Sequence, residues 1–234
     1  MSPAKSLFIT ATDTGVGKTL VSGLLLNYLL RGGVKAGYQK WAATGVDNER
    51  IADLADCLKI AGLKPERELL DFQVPYRFSF PASPHLAAEL EGIEIEPEKI
   101  IAAYRQMAEK YEMLIVEGVG GLLVPLNREL LLADLLGRLK LPALLVARSG
   151  LGAINHTLLS IEAMRNRAIP IAGVVFTDSG DEEETIAADN METIGAIGKV
   201  EILGRLPYCR SPEELVDRFE PIGAKIRRIL AAAR

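Results

Sequence analysis

The sequence predicts an α/β fold, with one doubly wound, mostly parallel sheet covered by helices on both faces. Three observations carry this. Short apolar segments alternate with longer amphipathic ones along the chain. Most of the apolar segments lack a clean two-residue alternation, as expected of strands buried on both sides. The connections between them are mostly short. At 234 residues the chain suits a single domain, residues 1–234, large enough to bury its own core.

In chain order, residues 6–10 read as the first strand and 17–30 as the first helix. Gly32-Gly33 closes that helix, because glycine takes the left-handed conformation that ends helices without steric cost. Residues 35–41 form the second strand and 48–61 the second helix; helix 97–110 precedes strand 113–117. Helix 130–139 leads to strand 143–147, helix 154–165 to strand 171–176, and helix 183–194 to strand 200–203. A last helix covers 212–233. Residues 63–82, rich in proline and aromatics, read as one long irregular stretch, too long for a plain connection.

Composition removes several classes of function. Cys57 and Cys209 cannot make a disulfide framework, and with only His85 and His156 beside them a structural zinc site is not expected. A net charge of −4 without a long basic cluster argues against nucleic acid as a partner. No apolar run reaches the ~20 residues of a membrane span, and no signal peptide is legible, so a cytoplasmic, membrane-free protein is expected. Neither histidine stands with a serine or cysteine and a carboxylate in a triad pattern. Ser83-Pro84 reads as a helix cap followed by proline at the first helical position, and Asn155-His156 as another helix opening.

The chemistry concentrates at the carboxyl ends of the strands, where open α/β sheets bind ligands. Ala11-Thr12-Asp13-Thr14-Gly15-Val16-Gly17-Lys18-Thr19 lies between the first strand and the first helix. Glycines let backbone N–H groups turn inward around phosphate oxygens, and the helix N-terminus adds its positive dipole end. Lys18 is placed to reach the β- and γ-phosphates, and the Thr19 hydroxyl to ligate Mg²⁺. The loop departs from the usual phosphate-loop pattern in having Thr12 where the first glycine stands. A dinucleotide fingerprint fails, since Leu20 occupies the third glycine position.

Glu117 ends the strand 113–117, where a phosphate-loop protein places its second metal-facing acid, and Gly118-Val119-Gly120-Gly121 follows as a turn whose N–H groups suit an anion. Lys40 ends the second strand. A fixed cation there would stabilise charge spread over transferring oxygens, although a lone lysine at a strand end is ordinarily solvated and its removal would leave folding nearly untouched. Asp53 lies in the following helix and is, by itself, indistinguishable from any solvated acid.

Taken together these pieces resemble the dethiobiotin synthetase family across nearly the whole chain. The matching segments are the loop from Thr12 to Thr19; Gly37-Tyr38 with Lys40 and Thr44-Gly45; Pro81-Ala82-Ser83-Pro84-His85; and Val116-Glu117-Gly118-Val119-Gly120-Gly121. Leu151-Gly152-Ala153-Ile154-Asn155-His156 and Gly204-Arg205-Leu206-Pro207 complete the set. The resemblance implies a P-loop NTPase-type fold and an ATP- and Mg²⁺-dependent ligase. Its reaction joins CO₂ to 7,8-diaminopelargonic acid and closes a ureido ring. Lys18 and Lys40 would be the catalytic cations, and residues 13–19 with Thr177 and Pro207 would hold ATP. Thr19, Asp53 and Glu117 would hold the metal, with Asp56 a competitor for Asp53. Thr44, the Gly118, Val119, Gly120 and Gly121 turn, and Asn155 would bind the substrate. The family's members are homodimers, with Asn155 reaching across from the opposite subunit.

The departures are specific. Ala11 replaces a glycine before Thr12, Gln39 and Trp41 flank Lys40 where the family has a shorter run, and Thr177 stands where the family commonly has an adenine-reading asparagine. Two other readings remain: a related amidoligase, which this chain is too short to match in full, and a partition-type regulatory ATPase, whose loop carries a lysine where this chain has Asp13.

Overall fold

The computed structural model describes residues 5–47 and 50–232. The chain runs β1 (Lys5–Ala11), α1 (Lys18–Arg31), β2 (Ala36–Lys40), β3 (Ala42–Ala43), α2 (Ala52–Ala61), α3 (Leu70–Gln73), β4 (Tyr76–Arg77) and α4 (Pro84–Leu90). It continues through α5 (Pro97–Lys110), β5 (Met113–Glu117), α6 (Leu132–Leu139), β6 (Ala143–Arg148), α7 (Ala153–Arg165), β7 (Ile171–Thr177), α8 (Glu184–Gly198), β8 (Ile202–Leu206) and α9 (Val216–Ala232).

Six strands form the main sheet in the order β2-β5-β1-β6-β7-β8, every pair parallel. Alternate residues of a strand point to opposite faces. Leu7, Ile9 and Ala11 therefore join the core under α1, α2 and α9, while Phe8 joins the one under α5, α6 and α7. Both faces are apolar, which is why the sequence carries no two-residue rhythm. No helix among the described residues is long and apolar enough to cross a membrane.

Several boundaries differ from the sequence reading. The second helix starts at Ala52 rather than 48; residues 48 and 49, which open the expected helix, lie outside the described residues. The stretch 63–82 contains a 3-10 turn at Arg67–Leu69, the short α3, and β4, which pairs parallel with β3 in a small second sheet. The last strand is 202–206, fixed by its register against β7 from Val174↔Ile202 to Thr177↔Leu206. The final helical segment opens as a 3-10 turn, Pro212–Leu215, before α9; residue 233 lies outside the described residues. Pro84 sits at the start of α4 as expected, but the Ser83 side chain makes no capping bond. Helix α7 is preceded by Gly152 at φ 89°, so Asn155 falls inside the first turn rather than at its cap. The Gly32-Gly33 ending holds: Gly33 takes φ 75°, and Val34 N–H donates to the Leu29 carbonyl at 3.0 Å.

What positions the site is the reversal of strand order. β1 connects through α1 to β2 on one side of β5, whereas β5 connects through α6 to β6 on the other side of β1. The crevice at the carboxyl ends of β1 and β5 lies at that switch point.

Candidate active site

The loop between β1 and α1 wraps the switch point. Gly17 precedes α1 at φ 99°, a left-handed conformation that favours glycine. Thr12 N–H donates to the Val146 carbonyl at 3.1 Å, and Thr14 N–H to Asp13 Oδ1 at 2.6 Å, so the loop is tied at its start. Lys18 Nζ donates to the Asp13 carbonyl at 3.1 Å across the loop. Burial, and then the neighbouring Lys40, lower the Lys18 ammonium to a pKa of about 8, against the pull of Glu117 and Asp53.

Glu117 is the centre of the cluster and is fully buried. Its Oε1 accepts from Lys40 Nζ and lies by Thr19 Oγ1, both at 2.9 Å. Its Oε2 accepts from Ser22 Oγ and Tyr38 Oη, again both at 2.9 Å. Lys40 sits opposite Glu117 because β2 and β5 pair in parallel with Lys40↔Glu117 in register. Its Nζ also lies 2.7 Å from Asp53 Oδ2 and 3.2 Å from the Gly118 carbonyl. Desolvation opposes charge on Lys40, but Glu117 and Asp53 outweigh it and raise its pKa, so the ammonium stays charged. Burial likewise opposes ionisation of Asp53, and Lys40 overrides it, lowering that carboxyl.

Lys40 is therefore not the solvated lysine expected of a strand end: it is 3% exposed, and its removal strands two carboxylates. Of the two candidate acids, Asp53 lies in the cluster with Lys40 and Thr19, whereas Asp56 lies 3.6 Å from Arg50 on the surface. The flanking departures face away from the cluster. Gln39 donates to the Phe72 carbonyl at 2.8 Å, and Trp41 packs on Phe8 with ring centroids 4.6 Å apart.

The Thr19 hydroxyl carries one proton but faces two carboxylate oxygens, Glu117 Oε1 at 2.9 Å and Asp53 Oδ1 at 3.2 Å. One of those close O···O contacts lacks a proton, a deficit that a divalent cation among these three oxygens would relieve. Two carboxylates and a hydroxyl suit Mg²⁺, which keeps several waters and takes further oxygens from a phosphate.

The glycine turn after Glu117 abuts the phosphate loop. Gly118 N–H donates to the Ile9 carbonyl at 3.0 Å, and a side chain at Gly121 would start 3.3 Å from the Thr12 carbonyl. Gly120 has φ 60°, and a Cβ there would meet Val124 at 2.7 Å, so both backbone shape and space demand glycine. Val119 and Thr44 are half-buried, and a Cβ at Gly45, beside Thr44, would sit 3.3 Å from Pro81 Cβ. Pro207 is half-buried and directly follows β8. Asn155 lies exposed on the first turn of α7, and Leu151 before it is 92% exposed.

Thr177, expected among the residues that hold ATP, reaches the phosphate loop. It is buried, and its hydroxyl donates to the Val16 carbonyl at 2.6 Å, so its one donor is turned to the loop. The sequence reading missed Ser22, the role of Tyr38, and Arg148. Ser22 had a signal: a hydroxyl within an apolar run, one turn after Thr19 and so on the same helix face.

A family model described as an AAA domain matches residues 5–214. ATP-dependent dethiobiotin synthetase BioD of Brucella ovis is 42% identical over 215 residues, spanning 91% of this chain and 92% of that protein. Its counterpart in Brucella abortus strain S19 matches at the same identity and coverage. The chain belongs to the dethiobiotin synthetase family. Among solved structures, the MinC:MinD cell division complex of Aquifex aeolicus matches with TM-score 0.59 at 18% identity, covering 97% of this chain and 96% of that one. Pyrococcus furiosus MinD matches with TM-score 0.59 at 16% identity, covering 97% and 99%. These two share the fold. Within the dethiobiotin synthetase family, the chain is an ATP-using ligase that forms C–N bonds.

The Tyr38 bond gives a first test. Tyr38→Phe keeps the ring and removes one donor from a buried carboxylate, so stability should fall by about 1.5–3 kcal/mol, the usual worth of a hydrogen bond to a charged group. Urea unfolding of the two proteins measures it; equal midpoints and slopes would contradict the bond.

Proposed function

We propose that this chain makes dethiobiotin from 7,8-diaminopelargonic acid, CO₂ and ATP, releasing ADP and phosphate. The single observation that carries the reading is the Lys40–Glu117–Thr19–Asp53 cluster beside the phosphate loop, in a chain 42% identical to proteins named for that activity. An amine captures CO₂ as a carbamate and loses a proton. A carbamate oxygen attacks the γ-phosphorus and ADP leaves. The second amine then attacks the carbonyl carbon, the carbon–oxygen bond to phosphate breaks, and the ureido ring closes.

No protein nucleophile is needed. Lys18 and Lys40 offset charge on the transferring group and on the carbamate. Thr19, Asp53 and Glu117 would hold Mg²⁺, which supplies neutralisation of the phosphate oxygens. Thr44 and the Gly118–Gly121 turn orient the diamine. The protein works in the cytoplasm as a homodimer, with Asn155 of each subunit meeting the substrate carboxylate bound by the other.

The direct test mixes protein, diamine, bicarbonate, Mg²⁺ and ATP and looks for dethiobiotin by mass spectrometry. ADP should appear slowly without diamine and fast with it. Rapid ADP release that diamine does not change would favour a regulatory ATPase instead. Lys18→Ala should weaken nucleotide binding and abolish turnover, and Asn155→Asp should also inactivate. Mixed together, the two variants should regain activity through hybrid dimers with one intact site. A fully active monomer in sedimentation would remove the shared-site reading.

A further inference from the structure

Arg148 and Thr177 end the adjacent strands β6 and β7 and are partners in register. Both reach the phosphate loop. Arg148 Nη2 donates to the Gly15 carbonyl at 2.6 Å, and Thr177 Oγ1 to the Val16 carbonyl at 2.6 Å. In a trans peptide the carbonyl and the next N–H point in opposite directions. Fixing Gly15 O toward Arg148 therefore turns Val16 N–H away from it, and fixing Val16 O toward Thr177 turns Gly17 N–H away. Among the described residues neither N–H has a protein acceptor. A donor on the carbonyl also polarises the peptide and strengthens its N–H as a donor. The packing is close as well: a Cβ at Gly17 would sit 3.1 Å from Thr177 Cγ2.

We infer that Arg148 and Thr177 are positioning residues that brace the phosphate loop from behind, holding Val16 and Gly17 N–H toward the nucleotide's phosphates before it arrives. The inference rests on the nucleotide reading of this loop. Its consequence is that Thr177 sets affinity for the triphosphate group whatever base is attached. Preorganisation of this kind raises affinity by removing an ordering cost from binding.

The experiment is calorimetric titration of the full-length protein with ATP and with GTP, in wild type, Thr177→Val, Thr177→Ser and Arg148→Met. Thr177→Val should weaken both nucleotides by the same factor, roughly threefold to tenfold for one hydrogen bond. Thr177→Ser should restore both. Arg148→Met, at a partly exposed side chain, should weaken both similarly and carries the test alone if Thr177→Val fails to fold. The Michaelis constant for diamine should not move in any variant. A changed ATP:GTP ratio in Thr177→Val would show base reading and overturn the inference. So would unchanged affinities in Arg148→Met, or serine failing to restore binding. A wild type that binds neither nucleotide would overturn the reading of the loop itself, and this inference with it.

Discussion

Lys40→Ala should lower turnover by roughly 10²-fold or more, the usual cost of one oriented stabilising group. It should also destabilise the protein when no Mg²⁺ is present. Lys40 is buried between Glu117 at 2.9 Å and Asp53 at 2.7 Å, and Glu117 is itself fully buried. Removing one partner of a buried pair leaves a charge uncompensated, at a cost of about 3–5 kcal/mol. Magnesium should return part of that loss, because a cation between the same oxygens replaces the ammonium. Steady-state turnover and melting temperatures with and without Mg²⁺ measure both effects. Wild-type turnover would remove Lys40 from the mechanism, and an unchanged melting temperature would contradict its place in a buried pair.

Glu117→Gln is the second large effect. The amide keeps the shape but removes the charge facing Lys40 Nζ and Thr19. It also pits an N–H₂ group against at least one donor, since Ser22 and Tyr38 both reach Oε2 and Lys40 and Thr19 both reach Oε1. Turnover should fall by roughly 10²-fold or more, and the Mg²⁺ concentration needed for half-maximal nucleotide binding should rise roughly 10- to 100-fold. Fluorescent-nucleotide binding across a magnesium series reads the second effect independently of turnover. A normal magnesium requirement in Glu117→Gln would take this residue out of the metal set.

The parts legible in the sequence were those fixed by local pattern. Strands buried on both faces, the glycine-rich loop and the glycine after α1 all declare themselves within a few residues. Glu117 and Lys40 were legible as strand ends, but not as a pair, because their register depends on β2 lying beside β5. That one fact turned an expected surface lysine into a buried one. The same distance in sequence hides the place of Asp53 beside Thr19 and Lys40, which separates it from Asp56 only when α2 is laid against α1. The partner of Thr177 is hidden for a related reason. Its place after a strand points to the nucleotide region, but the Val16 carbonyl it bonds lies on another strand's loop. The β3–β4 pair was invisible because each strand is too short for any period to show.

In the proposed reaction ATP phosphorylates a carbamate rather than water. Freshly dissolved CO₂ labelled with ¹⁸O in both oxygens should be given with diamine, Mg²⁺ and ATP, and the products analysed by mass spectrometry before the label exchanges with solvent. Attack by a carbamate oxygen on the γ-phosphorus, followed by ring closure, leaves one labelled oxygen in the ureido carbonyl and delivers the other to inorganic phosphate. Label in both products is the expected result. Phosphate that carries no label from CO₂, and takes its new oxygen from water instead, would show that ATP is hydrolysed directly and would contradict the account.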